Sequence, residues 1–197
     1  MRLRLALAGL LLLLAACGGG GDGRAPFVES RIPPQLGPRF WAPQGWAWGL
    51  LKVGDAPAQR YGVSSTLVTP QAQILILTGY GESAEAWFET ATNLNRHGYS
   101  VWVLERAGQG GSERYVLPRD LGHAPQFQDD VRAAKTLSRM MAAAAPQTPI
   151  IILGHSVGGL IAVAATEQGA PAEGLILSAP AFAASTDASN TAGTPVD

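Results

Sequence analysis

Cysteine is nearly absent from this chain: Cys17 is the only one among 197 residues. A lone thiol cannot form an internal disulfide, so the fold cannot depend on a disulfide framework. Export to an oxidising compartment is nevertheless compatible with this count, because no pair of thiols has to be kept reduced.

Charge is also scarce. Charged residues make up 15% of the chain and hydrophobic residues 47%, and the formal net charge is -1. This composition fits one globular domain and gives no electrostatic reason to expect a nucleic-acid partner. The sequence has no basic stripe, no phosphate loop of the G-x-x-x-x-G-K type and no cluster of metal ligands. It therefore predicts neither a cofactor nor a metal site.

The apolar run from Leu5 to Leu14 is too short to span a bilayer as a mature helix. It follows Arg2 and Arg4, an arrangement typical of an export signal. The next residues, L-A-A-C, resemble the lipobox of bacterial lipoproteins, which implies cleavage before Cys17 and lipid attachment to its thiol. The alternative is an ordinary thiol inside a signal peptide that is cleaved elsewhere.

We therefore expect a signal peptide over residues 1–16 and a lipidated, flexible tether over residues 17–35, rich in glycine. The protein would then be anchored in a membrane of the bacterial cell envelope and face the periplasm or the cell exterior.

The most informative segment is a buried strand that runs into a G-x-S-x-G turn. Ile150 to Leu153 precede Gly154-His155-Ser156-Val157-Gly158, and a helical stretch of small residues follows. This order is how a hydrolase exposes a serine nucleophile, because glycines let the neighbouring strand and helix approach closely. The alternative is a plain tight turn in which Ser156 caps the helix.

The rest of the chain alternates strands and helices, which predicts a parallel sheet covered on both faces. Strands are predicted over residues 60–68, 73–77, 100–104, 150–153 and 174–178, and helices over 83–97, 125–144 and 160–167. The tryptophan-rich segment 40–49 is interpreted either as a buried lead-in or as a membrane-facing patch.

Four further motifs surround the serine turn. They are Gly79, Glu82 and Ser83 (G-x-x-E-S); Glu105 to Ser112 (in part D-x-R-G-x-G-x-S); Gly122, His123, Phe127 and Asp129 (G-H-x-x-x-F-x-D); and Ser178-Ala179-Pro180 (S-A-P). With these motifs, residues 73–183 resemble the lysophospholipase and monoacylglycerol lipase group of α/β-hydrolases, also described as serine aminopeptidase-like. The resemblance implies an α/β-hydrolase fold with a mostly parallel sheet, of which residues 36–183 form the N-terminal part, through about the sixth strand.

Three positions depart from the pattern of this group. Thr78 stands where many relatives have His or Pro, Glu105 replaces the usual Asp, and Ala107 replaces the usual Arg. We expect the packing of these loops to differ, while the nucleophile is unaffected.

The resemblance also implies a mechanism. Ser156 would attack an ester carbonyl, and the backbone N–H groups of Val157 and Tyr80 would stabilise the oxyanion. Tyr80 is assigned only by its position after Gly79, and a plain loop aromatic is the alternative. The implied substrates are lysophospholipids, monoacylglycerols or similar carboxylic esters.

A catalytic acid and histidine are expected after the serine in α/β-hydrolases. Here all three histidines, His97, His123 and His155, precede Ser156. Asp187 and Asp197 follow it, but in a polar segment without apolar periodicity. We therefore expect an N-terminal fragment, with residues 184–197 as a disordered tail or truncation point, and little turnover by this chain alone.

Other functions stay open at this stage. A peptidase, a thioesterase or an acyltransferase would use the same fold and serine. A non-enzymatic alternative is a catalytically dead remnant or a surface-anchored binding protein that retains the Ser156 turn.

Overall fold

In the computed structural model of the chain, the described residues are 23–30, 32–33 and 35–182. They form a six-stranded sheet with three α-helices. The strands are β1 (Ala47–Leu51), β2 (Gln59–Ser64), β3 (Ala72–Leu77), β4 (Tyr99–Leu104), β5 (Ile150–His155) and β6 (Gly174–Ser178). The helices are α1 (Phe88–Arg96), α2 (Gln128–Ala144) and α3 (Val157–Glu167), with short 3-10 helices at Pro38–Phe40 and Ala84–Trp87.

The strand order in the sheet is β1-β2-β4-β3-β5-β6. The four strands from β3 to β6 are parallel to their neighbours, and β1 and β2 are antiparallel additions at one edge. The predicted fold class, a mostly parallel α/β-hydrolase sheet, is therefore confirmed. β1 was not predicted as a strand, because the sequence around Trp48 and Gly49 shows no clear alternation of apolar and polar residues.

The central strand β3 has a nearly continuous apolar sequence because both of its faces are buried. Side chains alternate between the two faces of a strand, and here both faces are covered. Leu75 and Leu77 join the cluster beneath α2 and α3, whereas Ile74 and Ile76 join the cluster on the α1 face. Every residue of β3 is consequently buried.

The tryptophan-rich segment divides between the two interpretations proposed from sequence. Trp46 packs edge-on against Trp48 and Phe88, with ring centroids 5.2 Å and 4.9 Å apart. Trp46 and Trp48 thus pack against the core of the α1 face, as expected for a buried lead-in. Trp41 is 58% exposed and lies on the surface.

Within the described residues the sheet ends at β6, whose outer neighbour is solvent. Leu175, Ile176 and Leu177 are all exposed there. No helix among the same residues has the length and apolarity needed to cross a membrane.

Candidate active site

Ser156 occupies the turn between β5 and α3 with a backbone conformation that side-chain-bearing residues rarely adopt. Its φ is 53° and its ψ is -123°. Such a conformation costs on the order of 1–3 kcal/mol, and it persists only where the surrounding structure enforces it. The turn therefore holds Ser156 at the carboxyl edge of the sheet under strain.

Two glycines allow close packing around this serine: Gly154 lets α3 approach β5, and Gly158 lets α3 approach the end of β3. A Cβ on Gly154 would lie 2.6 Å from the Cα of Gly159, and a Cβ on Gly158 would lie 2.8 Å from the carbonyl oxygen of Thr78. Real Cβ atoms do not approach other atoms so closely. Both glycines of the G-x-S-x-G turn are thus needed for close approach rather than for a positive φ.

The backbone of Ser156 is held by three hydrogen bonds. Its N–H donates to the carbonyl of Ser178 at 3.0 Å, and its carbonyl accepts from Gly159 at 2.9 Å and from Ala181 at 3.0 Å. The side chain, in contrast, makes no capping hydrogen bond to α3. The alternative that Ser156 serves as a helix cap is therefore not supported by the geometry.

The loop after β3 brings the second predicted oxyanion donor to the same edge. The amide of Gly79 donates to Glu82 Oε2 at 2.8 Å, and the amide of Gly81 donates to the side chain of Gln109. The amide of Tyr80, between these two, has no hydrogen bond to the described part of the chain. Its phenol lies exposed and donates to the carbonyl of Gly122 at 2.8 Å.

Val157 is the first residue of α3, so its amide is one of the four that have no carbonyl partner within a helix. The start of α3 packs against the end of β3, because the space beside Gly158 is filled by the carbonyls of Leu77 and Thr78. Val157 follows the end of β5, and Tyr80 follows the end of the neighbouring strand β3. Their amides therefore lie at the same edge of the sheet. Helix N-termini of this kind stabilise negative charge.

His155, the middle residue of G-H-S, contacts the loop after β3. Its Nδ1 lies 2.7 Å from Glu82 Oε1, a close contact that is not aligned as a hydrogen bond. Its ring lies edge-on to Trp87, whose Nε1 donates to Glu82 Oε2 at 3.1 Å. Glu82 thus connects three groups around the serine turn. Sequence reasoning quoted Glu82 as part of a motif without assigning it a partner.

The contacts of the other two histidines are with residues other than Ser156. Nδ1 of His97 is 2.8 Å from the carbonyl of Asn93 at the end of α1, the opposite edge of the sheet. His123 packs edge-on against Tyr115, with ring centroids 6.4 Å apart. Each histidine of the chain therefore has a contact of its own, and none of these contacts is with the serine.

The departures from the family pattern coincide with a buried ionic network beside the site. Glu105 accepts hydrogen bonds from Arg60 at 3.0 Å and 2.6 Å, and from the amides of Ala84 and Gly111, both at 2.7 Å. The longer Glu side chain thus has four donors. Sequence reasoning missed Arg60, because a single arginine in a strand carries no motif.

Arg60 is almost entirely enclosed by its partners. It also bonds Glu85 at 2.8 Å, and its guanidinium lies 4.0 Å from the ring centroid of Trp48. Burial alone would lower the pKa of this guanidinium, but the hydrogen bonds and charge of Glu105, reinforced by Glu85, raise it. Arg60 therefore stays charged and holds β2 to the loops after β3 and β4.

A second buried pair sits where Ala107 replaces the usual Arg. Arg106 Nε donates to Asp130 at 2.9 Å, and the amide of Ala107 donates to the other carboxylate oxygen of Asp130, also at 2.9 Å. Asp129, the predicted motif residue, accepts hydrogen bonds from Tyr115 and Arg132 instead. Both carboxylates thus fix the loop after β4 to the start of α2.

The described residues provide no metal centre at Ser156. No group of three or more His, Cys, Asp or Glu that could hold a metal ion occurs among the described residues. The largest cavity described, of about 750 Å³, lies at the opposite edge of the sheet, beside Trp41, Leu67 and His97. Cys17, Asp187 and Asp197 lie outside the residues that the structure describes.

Comparison with known proteins agrees with this arrangement. The family model described as "Serine aminopeptidase, S33" (Hydrolase_4) matches residues 68–194, well over half of the chain. The chain is 32% identical to a monoglyceride lipase of Rattus norvegicus over 126 residues, which cover 62% of this chain and 39% of the relative. It is 30% identical to lysophospholipase L2 of Escherichia coli over 124 residues, covering 56% and 36%.

Among solved structures, the chain resembles a soluble variant of the Saccharomyces cerevisiae monoglyceride lipase in complex with a substrate analog. The TM-score is 0.55 at 21% identity, and the match covers 74% of this chain and 48% of that one. This likeness concerns the fold. The chain spans well under half of the length of the curated relatives it matches.

Proposed function

This chain belongs to the serine aminopeptidase, S33, family of α/β-hydrolases, and on that premise we propose that it carries the nucleophile of a serine hydrolase that cleaves lipid carboxylic esters. The observation that carries the proposal is the strained φ of 53° at Ser156, between a strand and a helix that close on Gly154 and Gly158. A serine in such a turn presents its hydroxyl outward.

In the proposed reaction, Ser156 Oγ attacks the ester carbonyl and its proton passes to a general base. The amides of Val157 and Tyr80 donate to the oxygen on which negative charge develops. Removal of one such donor typically costs on the order of 3 kcal/mol of transition-state stabilisation. The amide of Tyr80 is suited to this role because the flanking amides of Gly79 and Gly81 already donate to Glu82 and Gln109.

We do not assign the general base to His97, His123 or His155, because all three precede Ser156 in the chain, whereas the histidine of an α/β-hydrolase triad follows the serine. We therefore expect the base and its acid to come from residues that the structure does not describe, after Ser156 in chain order. On this proposal the 197-residue chain alone gives little turnover, and the serine becomes an efficient nucleophile only when that base is present.

The proposed substrates are monoacylglycerols or lysophospholipids, because relatives named for lipases of these substrates are 32% and 30% identical to the chain over 126 and 124 residues. Aminopeptidase activity is the second candidate, since the family description names it. We further propose that the protein is exported, lipidated at Cys17 and held at a bacterial membrane, where lipid esters are present at high local concentration.

The test uses the gene's reading frame through its own stop codon, expressed beside the 197-residue chain. Hydrolysis of monoacylglycerol, lysophospholipid and an aminoacyl anilide is measured for the parent, Ser156→Ala and Ser65→Ala. Ser65 is an exposed serine that contacts Ser100 near the opposite edge of the sheet, and it serves as the matched control.

We expect ester hydrolysis by the parent and by Ser65→Ala, and a loss on the order of a thousandfold or more in Ser156→Ala. Preference for the anilide would replace the ester proposal by the peptidase. A reading frame that is inactive on every substrate would identify a binding protein or catalytically dead remnant. Robust Ser156-dependent hydrolysis by the 197-residue chain itself would contradict the expectation that the base lies elsewhere.

A further inference from the structure

Three exposed apolar side chains lie at the edge of the sheet that carries Ser156. Tyr80, in the loop after β3, is 64% exposed; Leu117 and Leu121, in the segment after β4, are 54% and 53% exposed. The carboxyl ends of parallel strands meet at one edge of a sheet, so these loops share that edge with the serine turn. We refer to Tyr80, Leu117 and Leu121 as the apolar stripe.

Hydrogen bonds join the segments that carry the three side chains. The Tyr80 phenol donates to the carbonyl of Gly122, next to Leu121, at 2.8 Å. The amide of Leu121 donates to the carbonyl of Pro118, next to Leu117, at 3.1 Å. The stripe therefore runs along one surface, from the predicted oxyanion loop to Leu117.

The far end of the stripe meets the point where the described chain begins. A side-chain methyl of Leu117 lies 3.2 Å from the position that a Cβ on Gly23 would occupy. Arg119 donates to the carbonyl of Ala25 at 2.7 Å, and the amide of Arg114 donates to the carbonyl of Arg24 at 2.9 Å. The start of the described chain is thus fixed to the segment that carries both leucines.

Cys17 precedes Gly23 by only six residues. Six residues span at most about 20 Å even when fully extended. A lipid on Cys17 would consequently hold the membrane surface near Leu117, at the catalytic edge. The opposite edge of the sheet lies about 20 Å from the catalytic edge, the length of a six-residue strand, so only a fully extended tether would reach it.

We propose that the apolar stripe docks on the lipid bilayer to which Cys17 is attached, so that the catalytic edge faces the lipid surface. This inference rests on the proposed function, a lipid-ester hydrolase anchored at Cys17. Docking would let a lipid that leaves the bilayer reach Tyr80 without crossing water. Buried apolar side chains provide the affinity that one acyl chain alone supplies only marginally. Residues 114–121 carry two arginines and one aspartate, so no net negative charge opposes an anionic surface.

A second exposed apolar surface supplies a matched control. Leu67 and Val68 are 91% and 65% exposed, but they precede β3 and therefore lie at the opposite edge. If exposure alone decided which surface contacts the membrane, Leu67 and Val68 would be expected to do so. The position of the tether instead predicts contact by the apolar stripe. A membrane that contacts Leu121 and not Leu67 distinguishes the two.

The experiment uses the chain from residue 17 with Cys17→Ser and Ser156→Ala, which removes the native thiol and the proposed nucleophile. An N-terminal hexahistidine tag, bound to vesicles that contain a nickel-chelating lipid, replaces the acyl chain as the anchor. Leu121→Cys or Leu67→Cys is then added, and the new thiol is labelled with an environment-sensitive nitrobenzoxadiazole dye. Vesicles of phosphatidylethanolamine and phosphatidylglycerol are titrated in, and quenching by spin-labelled lipid is recorded. We expect a blue shift and quenching at position 121 and neither at position 67.

Other results overturn the proposal. Equal responses at both positions, a response only at 67, or none at either position would exclude the proposed orientation. A blue shift at 121 that needs no vesicles and grows with protein concentration would assign the stripe to a second copy of the chain. A vesicle-independent shift that appears only in the product of the complete reading frame would assign it to the downstream residues.

A double variant provides an independent measurement. Leu117→Ser with Leu121→Ser should weaken vesicle binding about tenfold, whereas Leu67→Ser with Val68→Ser should leave it within about twofold. Thermal unfolding checks that both double variants fold. If one of them does not fold, the dye-labelled proteins decide whether the stripe contacts the membrane. Vesicle binding is measured on a Ser156→Ala protein, which lacks the proposed nucleophile, so the result does not depend on hydrolysis. The docking proposal and the proposed ester hydrolysis can therefore each fail without the other.

Discussion

Nδ1 of His155 lies 2.7 Å from Oε1 of Glu82, and this contact joins the residue before the nucleophile to the loop after β3. The other oxygen of Glu82 accepts the amide of Gly79 at 2.8 Å. Glu82 thus links Gly79 to His155. The two predicted oxyanion donors are close to these residues in the chain: Tyr80 follows Gly79 directly, and Val157 lies two residues after His155. Glu82 is placed to fix their separation.

The change Glu82→Gln tests this positioning role. It removes the charge that faces His155 and leaves a single acceptor oxygen for the groups that now share two. We expect kcat of the complete reading frame on a monoacylglycerol to fall about tenfold or more with little change in KM, because correctly placed donors act mainly on the transition state. Glu89→Gln, an exposed acid in the first turn of α1, is the control. Equal kinetics for the two variants would assign Glu82 no role in the site.

The strand and helix pattern of the sequence was sufficient to predict most of the fold. β3 and β6 agree with prediction to within one residue, because apolar runs bounded by glycine, proline and polar residues have few alternatives. β1 was missed, since Trp46 and Trp48 pack on Phe88 through tertiary contacts that no local periodicity reveals. Helix starts were less well placed: the segment predicted to begin at Ser83 opens with a 3-10 turn before α1.

Gly158→Ala is expected to destabilise the chain despite the better helix propensity of alanine. The added methyl would meet the carbonyls of Leu77 and Thr78 at the end of β3, and overpacking of this kind costs about 1–3 kcal/mol. Urea unfolding measures the change. Gly37→Ala is the control, because nothing lies within 4 Å of its Cβ position and its φ of -69° suits any residue. A Gly158→Ala protein as stable as Gly37→Ala would contradict the close packing of α3 on β3.

Arg60→Lys should be costly although the charge is kept. Lysine lacks the planar fork with which Arg60 bonds both oxygens of Glu105, and it cannot stack on Trp48 in the same way. We expect the free energy of unfolding to fall by about 2 kcal/mol or more, since breaking a buried pair leaves a carboxylate incompletely compensated. Arg96→Lys, on the exposed end of α1, should stay within about 0.5 kcal/mol of the parent. A loss for Arg60→Lys as small as the control would show that the network tolerates a simple point charge.

The candidate site was predicted only in part for a physical reason. Ser156 and its glycines form a contiguous turn, so their spacing in sequence is their spacing in space. Arg60 and Glu105 are 45 residues apart and meet only because β2 runs antiparallel to β4. Nothing local in either segment marks such a pair. The functional assignments of Ser156, Tyr80 and Val157 remain predictions until the kinetic tests are made.

The alkaline stability of the chain should depend on Tyr115. Burial, together with the hydrogen bond to Asp129, raises the pKa of this phenol. A folded-state pKa above the unfolded value of about 10 means that the stabilisation is complete below pH 10 and is lost as pH rises through the folded value. We therefore expect the unfolding free energy of the parent to fall steeply above about pH 10, and that of Tyr115→Phe to fall less.

Urea unfolding at a series of pH values measures both slopes, and tyrosinate absorbance should lose its last-titrating component in Tyr115→Phe. Tyr99→Phe, on β4, is the control and should keep the parent's slope. At neutral pH, Tyr115→Phe should lose about 1 kcal/mol, because Asp129 loses a hydrogen bond. Parallel alkaline slopes for the parent and Tyr115→Phe would mean that this phenol does not secure the segment carrying Leu117 and Leu121 to the start of α2.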